Sequence, residues 1–155
     1  MIFKKLPLSG AFIIELEKGE DDRGFFARYF CAEEYRKNGL DPRIVQINNS
    51  YGKEKGTLRG IHFQLPPMAE TKIVKCVKGS FWDVMVDLRK DSPTFGEWCG
   101  DTLSSENRKM MYIPKGFGHA FITLEDDTEA LYLVTEYYSP KEEIGIMWND
   151  DELDI

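Results

Sequence analysis

Histidine is scarce in this chain: His62 and His119 are the only two among 155 residues. A metal-holding barrel would want His-x-His, but the second residue after His62 is Gln64, and there is no third histidine. Cys31, Cys76 and Cys99 lack ligand spacing, so chemistry without a metal or cofactor is expected. The same three cysteines are an odd, scattered set inside strand-like segments. They read as reduced thiols of a cytoplasmic protein, not as a disulfide framework. Long apolar runs are missing as well, and nothing approaches the ~20 residues a membrane span needs. The opening MIFKKLPLSGAFIIEL is broken by Lys4, Lys5, Pro7 and Gly10 and does not read as a signal peptide. Positive charge is in deficit, with 20 Lys and Arg against 27 Asp and Glu. That balance argues against nucleic acid as a partner. It leaves room for a small anionic ligand, because a cleft can gather cations on an acidic protein.

Helix signals are few. Only Ala32–Lys37, stopped by Asn38-Gly39, reads as a short helix. What the chain has instead is a series of short β segments. The pattern predicts strands at Ala11–Leu16, Arg43–Asn48, Thr57–Gln64, Lys72–Val77 and Ser80–Leu88. Further strands are predicted at Gly96–Leu103, Lys109–Ile113, His119–Thr123, Glu129–Tyr137 and Ile144–Trp148. Turn signals at Lys78-Gly79, Asp91-Ser92-Pro93 and Pro114-Lys115-Gly116 separate them. With no internal repeat or linker, the expectation is one all-β domain over residues 1–155, a sandwich or barrel.

Within SFWDVMVDLR, the period of two puts Trp82, Val84, Val86 and Leu88 on one face. Phe81, Asp83, Met85 and Asp87 take the other. Asp87 reads equally well as a solvated strand residue. Asp83 lies between Phe81 and Met85 on a face too apolar for plain solvent, so it is expected to be buried with a cationic or hydrogen-bonding partner. A lone histidine is more often packed core than catalyst. Strict alternation would set Arg59 and His62 on opposite faces, so one pocket can hold both only if the strand bulges at Gly60. Lys72, Val74 and Cys76 share a face. Tyr132, Val134, Glu136 and Tyr138 share another, which could aim two phenols into one cavity, although tyrosine in a strand is usually plain packing.

An ordered set of motifs goes further. DDRGFF (Asp21–Phe26), Gln46-x-Asn48-x-Ser50, GTLRGIHFQ (Gly56–Gln64), Lys72 in TKIVKCVKGSFWDVMVDLRKDSPTFGEW, IPKGFGHAF (Ile113–Phe121) and LYLVTEYYSPKEE (Leu131–Glu143) follow one another. In that order and spacing, the chain resembles the dTDP-4-dehydrorhamnose 3,5-epimerases over nearly its whole length. The resemblance implies a cupin-like jelly roll with one short N-terminal helix, and a homodimer formed through exchanged N-terminal strands. It implies a nucleotide-diphosphate 4-keto sugar as substrate, epimerised at C3 and C5 in rhamnose-type deoxysugar biosynthesis. By matched position, His62 is the base, Tyr132 the acid, and Lys72 the cation beside the ketone oxygen. Arg23, Arg59 and His119 match substrate-contacting positions, and Gln46, Asn48, Tyr138 and Glu143 match positions lining the site. Phe26 matches an aromatic near the nucleotide base, with the Arg23 region supplied by the partner subunit.

Two departures stand out. Arg28 occupies a position where the family usually has a glutamate that helps hold thymidine. The family also usually continues past the position of Ile155 into a segment supplying an aspartate that orients the histidine, and a basic residue near the nucleotide. Two expectations follow: Asp83 orients His62 in its place, or the sequence lacks a natural tail that would carry the orienting aspartate. Three other readings use the same residues. One is a single-site 3- or 5-epimerase with a nucleotide other than dTDP, and one is a non-catalytic sugar-nucleotide-binding module. The third, a metal-dependent oxygenase, is disfavoured by the histidine count.

Overall fold

The computed structural model describes residues 1–155. Thirteen strands form two packed antiparallel sheets and one projecting hairpin. The larger sheet contains β1 (Ile2–Lys5), β2 (Phe12–Glu15), β10 (Met110–Ile113), β7 (Lys72–Lys78), β12 (Thr128–Val134) and β5 (Gln46–Gly52), side by side in that order. The smaller contains β13 (Glu143–Gly145), β6 (Leu58–Gln64), β11 (Phe117–Thr123), β8 (Ser80–Asp87) and β9 (Trp98–Ser104). From β5 onward the chain passes from one sheet to the other at nearly every connection, which makes this a cupin-like jelly roll. The hairpin pairs β3 (Lys18–Asp21) with β4 (Gly24–Ala27) outside both sheets. No helix is long and apolar enough to cross a membrane.

Alternation along the strands builds the packing. Ala11, Ile13, Val74, Phe81, Met85, Met111, Ile113 and Phe121 point between the sheets and form the main core. Their neighbours Phe12, Ile14, Ile73, Met110 and Tyr112 point the other way and pack under Tyr35 and Leu40. Tyr35 comes from the one helix, α1 (Ala32–Lys37), which has the predicted bounds. Gly39 ends it at φ +73°, with Gly39 N–H donating to the Arg36 carbonyl and Leu40 N–H to that of Tyr35, both at 3.0 Å. That pair of bonds is a Schellman stop, and the left-handed φ is why a glycine stands there.

Three strands escaped the sequence pattern, namely β1, β3 and β4. The hairpin residues Lys18–Asp21 are all exposed, so no apolar alternation marks them. The strand expected at Arg43–Asn48 instead runs Gln46–Gly52, and that expected at Glu129–Tyr137 stops at Val134. Asp87 is fully buried and not solvated. It accepts hydrogen bonds from Arg89 Nε (2.8 Å), Thr94 Oγ1 (2.6 Å) and Ser92 Oγ (2.5 Å). Burial alone would raise its pKa, but these donors outweigh it and hold the carboxyl well below the usual range. Cys31, Cys76 and Cys99 are free thiols.

Candidate active site

One end of the space between the sheets is left open as a polar cavity of about 430 Å³. From the larger sheet, β5 contributes Gln46, Asn48 and Ser50 by alternation, β12 contributes Tyr132 and Val134, and β7 contributes Lys72. The register sets Tyr132 beside Asn48, and Val134 beside both Gln46 and Lys72. The smaller sheet supplies Arg59 and His62 from β6 and Glu143 from β13, while Tyr138 enters from the segment after β12.

Arg59 and His62 share the cavity because the strand pairing shifts between them. His62 lies opposite His119 and Arg59 opposite Phe121, so three steps on β6 match two on β11. The residue at the shift is Gly60, at φ +106°. A Cβ there would stand 2.3 Å from the His119 carbonyl oxygen, so only glycine fits.

Burial pushes the pKa of the His62 imidazole down to about 3, and Lys72 and His119 push in the same direction. It is therefore neutral at neutral pH and able to accept a proton. Burial likewise raises the Tyr132 phenol, with Ser50 opposing, so Tyr132 holds a proton to give. Lys72 is itself buried, which lowers its pKa against the pull of Glu70. A proton acceptor, a proton donor and a cation thus share one small cavity. That set suits proton transfer at carbon next to a carbonyl, where negative charge develops on oxygen.

The structure corrects the expectation for Asp83. Its Oδ1 lies 2.6 Å from Nε2 of His119, not beside His62, and both side chains are sealed. Strand β8 pairs Asp83 with Phe121 and Met85 with His119, so β11 carries the nearer histidine. His119 is also corrected: it is fully buried and does not line the cavity. Its ring lies 6.1 Å from that of His62 and 6.0 Å from that of Tyr132, so it packs behind both. Arg23, Phe26 and Arg28 do not line this cavity either. Arg23 and Phe26 sit on the β3–β4 hairpin, 89% and 77% exposed, and Arg28 pairs with Glu34 at 3.5 Å.

Glu70 was not expected at the site; Ser50 entered the expectation only as part of a motif, and Val134 only as a neighbour on the face of Tyr132. Ser50 shares the inward parity of Gln46 and Asn48, and Val134 that of Tyr132, so period two could have found both. Glu70 precedes its strand and carries no such signal. A second cavity of about 380 Å³ lies on the outer face of the smaller sheet. It is lined by Leu58, Ile61, Trp82, Val84 and Trp148 among others, and none of its side chains is titratable.

The fold and the cavity together define a class: a cupin-like jelly roll with a buried acid–base pair and a cation at one end. Comparison with known proteins narrows it. Residues 5–155 match the family model described as dTDP-4-dehydrorhamnose 3,5-epimerase. An enzyme of that name from Salmonella typhimurium is 43% identical over 156 residues, covering 100% of this chain and 85% of the relative. Among solved structures, the dTDP-4-dehydrorhamnose 3,5-epimerase of Elizabethkingia anophelis superposes at TM-score 0.97 and 38% identity, covering 100% of this chain and 85% of that one. The Legionella pneumophila dTDP-6-deoxy-D-glucose-3,5-epimerase, in complex with dTDP-4-keto-L-rhamnose, gives 0.92 and 39%, covering 99% and 81%. The chain belongs to the dTDP-4-dehydrorhamnose 3,5-epimerase family and is an isomerase.

Proposed function

We propose that this chain epimerises a nucleotide-linked 4-keto-6-deoxy sugar by moving protons at the carbons flanking the ketone. The observation that carries the reading is the meeting of His62, Tyr132 and Lys72 in one cavity. Neutral His62 removes the proton from carbon next to C4. The C–H electrons move into the ring bond and the carbonyl becomes an enolate, whose oxygen faces the Lys72 ammonium. Tyr132 returns a proton on the opposite face, and proton exchange with solvent resets the pair. Arg59 is the cation placed to meet the diphosphate. The ligand named for the Legionella relative, dTDP-4-keto-L-rhamnose, supports a dTDP sugar here.

Arg23, Phe26 and Arg28 act across a homodimer in this reading. None of the three lines the cavity of its own chain, and Phe26 on the hairpin is 77% exposed, which leaves it open to a neighbouring subunit.

Solvent deuterium incorporation into a dTDP-4-keto-6-deoxyhexose, followed by NMR, tests the proposal. Label at C3 and C5 is expected, and label at one carbon only would make this a single-site epimerase. If no label enters from any of several nucleotide sugars, the reading fails.

A further inference from the structure

Glu70 lies two residues before Lys72, and its Oε1 is 3.3 Å from Lys72 Nζ, with the two side chains only 10% and 8% exposed. A carboxylate in a cavity that takes an anionic sugar nucleotide and develops an enolate opposes both by like charge. We propose that Glu70 is a positioning residue that fixes the Lys72 ammonium in the cavity wall and keeps it charged, so that the enolate meets a cation and not a neutral amine. This rests on the epimerase reading of the cavity.

The surroundings of Lys72 leave Glu70 as its one close partner. Arg59 and His62 from β6, Tyr132 from β12 and Tyr138 from beyond β12 line the same cavity, with His119 of β11 packed behind His62; none of these supplies a carboxylate. Two other carboxylates bear on Lys72, Glu143 from β13 and Asp83 from β8. Each is already engaged: Glu143 accepts from the Tyr138 hydroxyl at 2.7 Å, and Asp83 pairs with His119 at 2.6 Å. Burial drives Lys72 toward the neutral amine, and Glu70 is the largest influence against it. Burial also raises Glu70, with Lys72 opposing, so each charge sustains the other. Removing the carboxylate should release repulsion toward the substrate while weakening the cation that the transition state needs.

The test uses the full chain with Glu70→Gln, which keeps the shape and deletes the charge, and Glu70→Asp, which keeps the charge. Two readouts are followed. One is the pH dependence of deuterium exchange, and the other is the pH midpoint for acetylation of Lys72 by trace acetic anhydride, read by peptide mass spectrometry. In Glu70→Gln the alkaline limb of kcat and the labelling midpoint should both fall by about one pH unit, a tenfold loss of rate above both midpoints. KM should stay level or decrease, and Glu70→Asp should recover part of the shift. An unmoved alkaline limb with an unmoved labelling midpoint, or a loss expressed only in KM, would overturn the inference. If the unaltered chain exchanges no deuterium, the epimerase reading fails instead, and the labelling midpoint alone still decides whether Glu70 holds Lys72 charged.

Discussion

His62 and His119 lie opposite each other across β6 and β11, yet their surroundings differ in nearly every respect. His119 is sealed, its Nε2 tied to Asp83, with Phe121 and Tyr132 against its ring. His62 lines the open cavity, and no side-chain hydrogen bond holds its ring. The same residue type thus sits in two settings, one packed and bound to a carboxylate, the other facing open space. His119 is a packed ring behind the cavity, and His62 is the ring that the cavity reaches. A histidine bound on one side and packed on the others has no path for a substrate hydrogen.

Four experiments sharpen or break this contrast. His62→Ala should slow deuterium exchange by about 10³-fold, roughly 4 kcal/mol, with the unfolding midpoint little changed. A normal exchange rate in that variant would end the assignment of the base. His119→Ala should act mainly on stability, because it strands Asp83 in the interior without a partner. A loss of about 3 kcal/mol in denaturant unfolding is expected. If this variant kept its stability while losing exchange, the two histidines would have to trade roles.

Tyr132→Phe should reduce exchange by about 10²-fold, roughly 2.7 kcal/mol, with nucleotide binding retained. The last test is in the pH dependence of stability. The folded pKa of His62 is about 3, below its ordinary 6.5. The unfolded chain therefore takes up that proton first as the pH falls, and stability declines from about 6.5 downward, at about 1.4 kcal/mol per pH unit where steepest. His62→Ala should flatten that slope between pH 6 and 4, which denaturant titrations at a series of pH values would reveal. An identical slope in the variant would assign the dependence to other groups.

Legibility differed from place to place for physical reasons. Helix α1 and the central strands could be read because each buries one face, and burial imposes the period of two or the glycine stop. The hairpin at Lys18–Ala27 could not, since almost nothing in it is buried. The bulge at Gly60 was readable as a condition: Arg59 and His62 can share a pocket only if the strand slips there, and it does. The partner of Asp83 was not readable, because parity says which face a carboxylate takes but not which residue of the next strand lies under it.

Already legible in the chain were the all-β class, the shared faces of Lys72 with Val74 and of Tyr132 with Val134, and, through the ordered motifs, the epimerase family. Alternation and motif order are properties of the chain, so no coordinates are needed to see them. The pairing of Asp83 with His119 and of Glu70 with Lys72 came from the folded chain alone. Those pairings depend on register between strands distant in the chain and on which charges end up sharing a space closed to water, where an unpaired charge is too costly to persist.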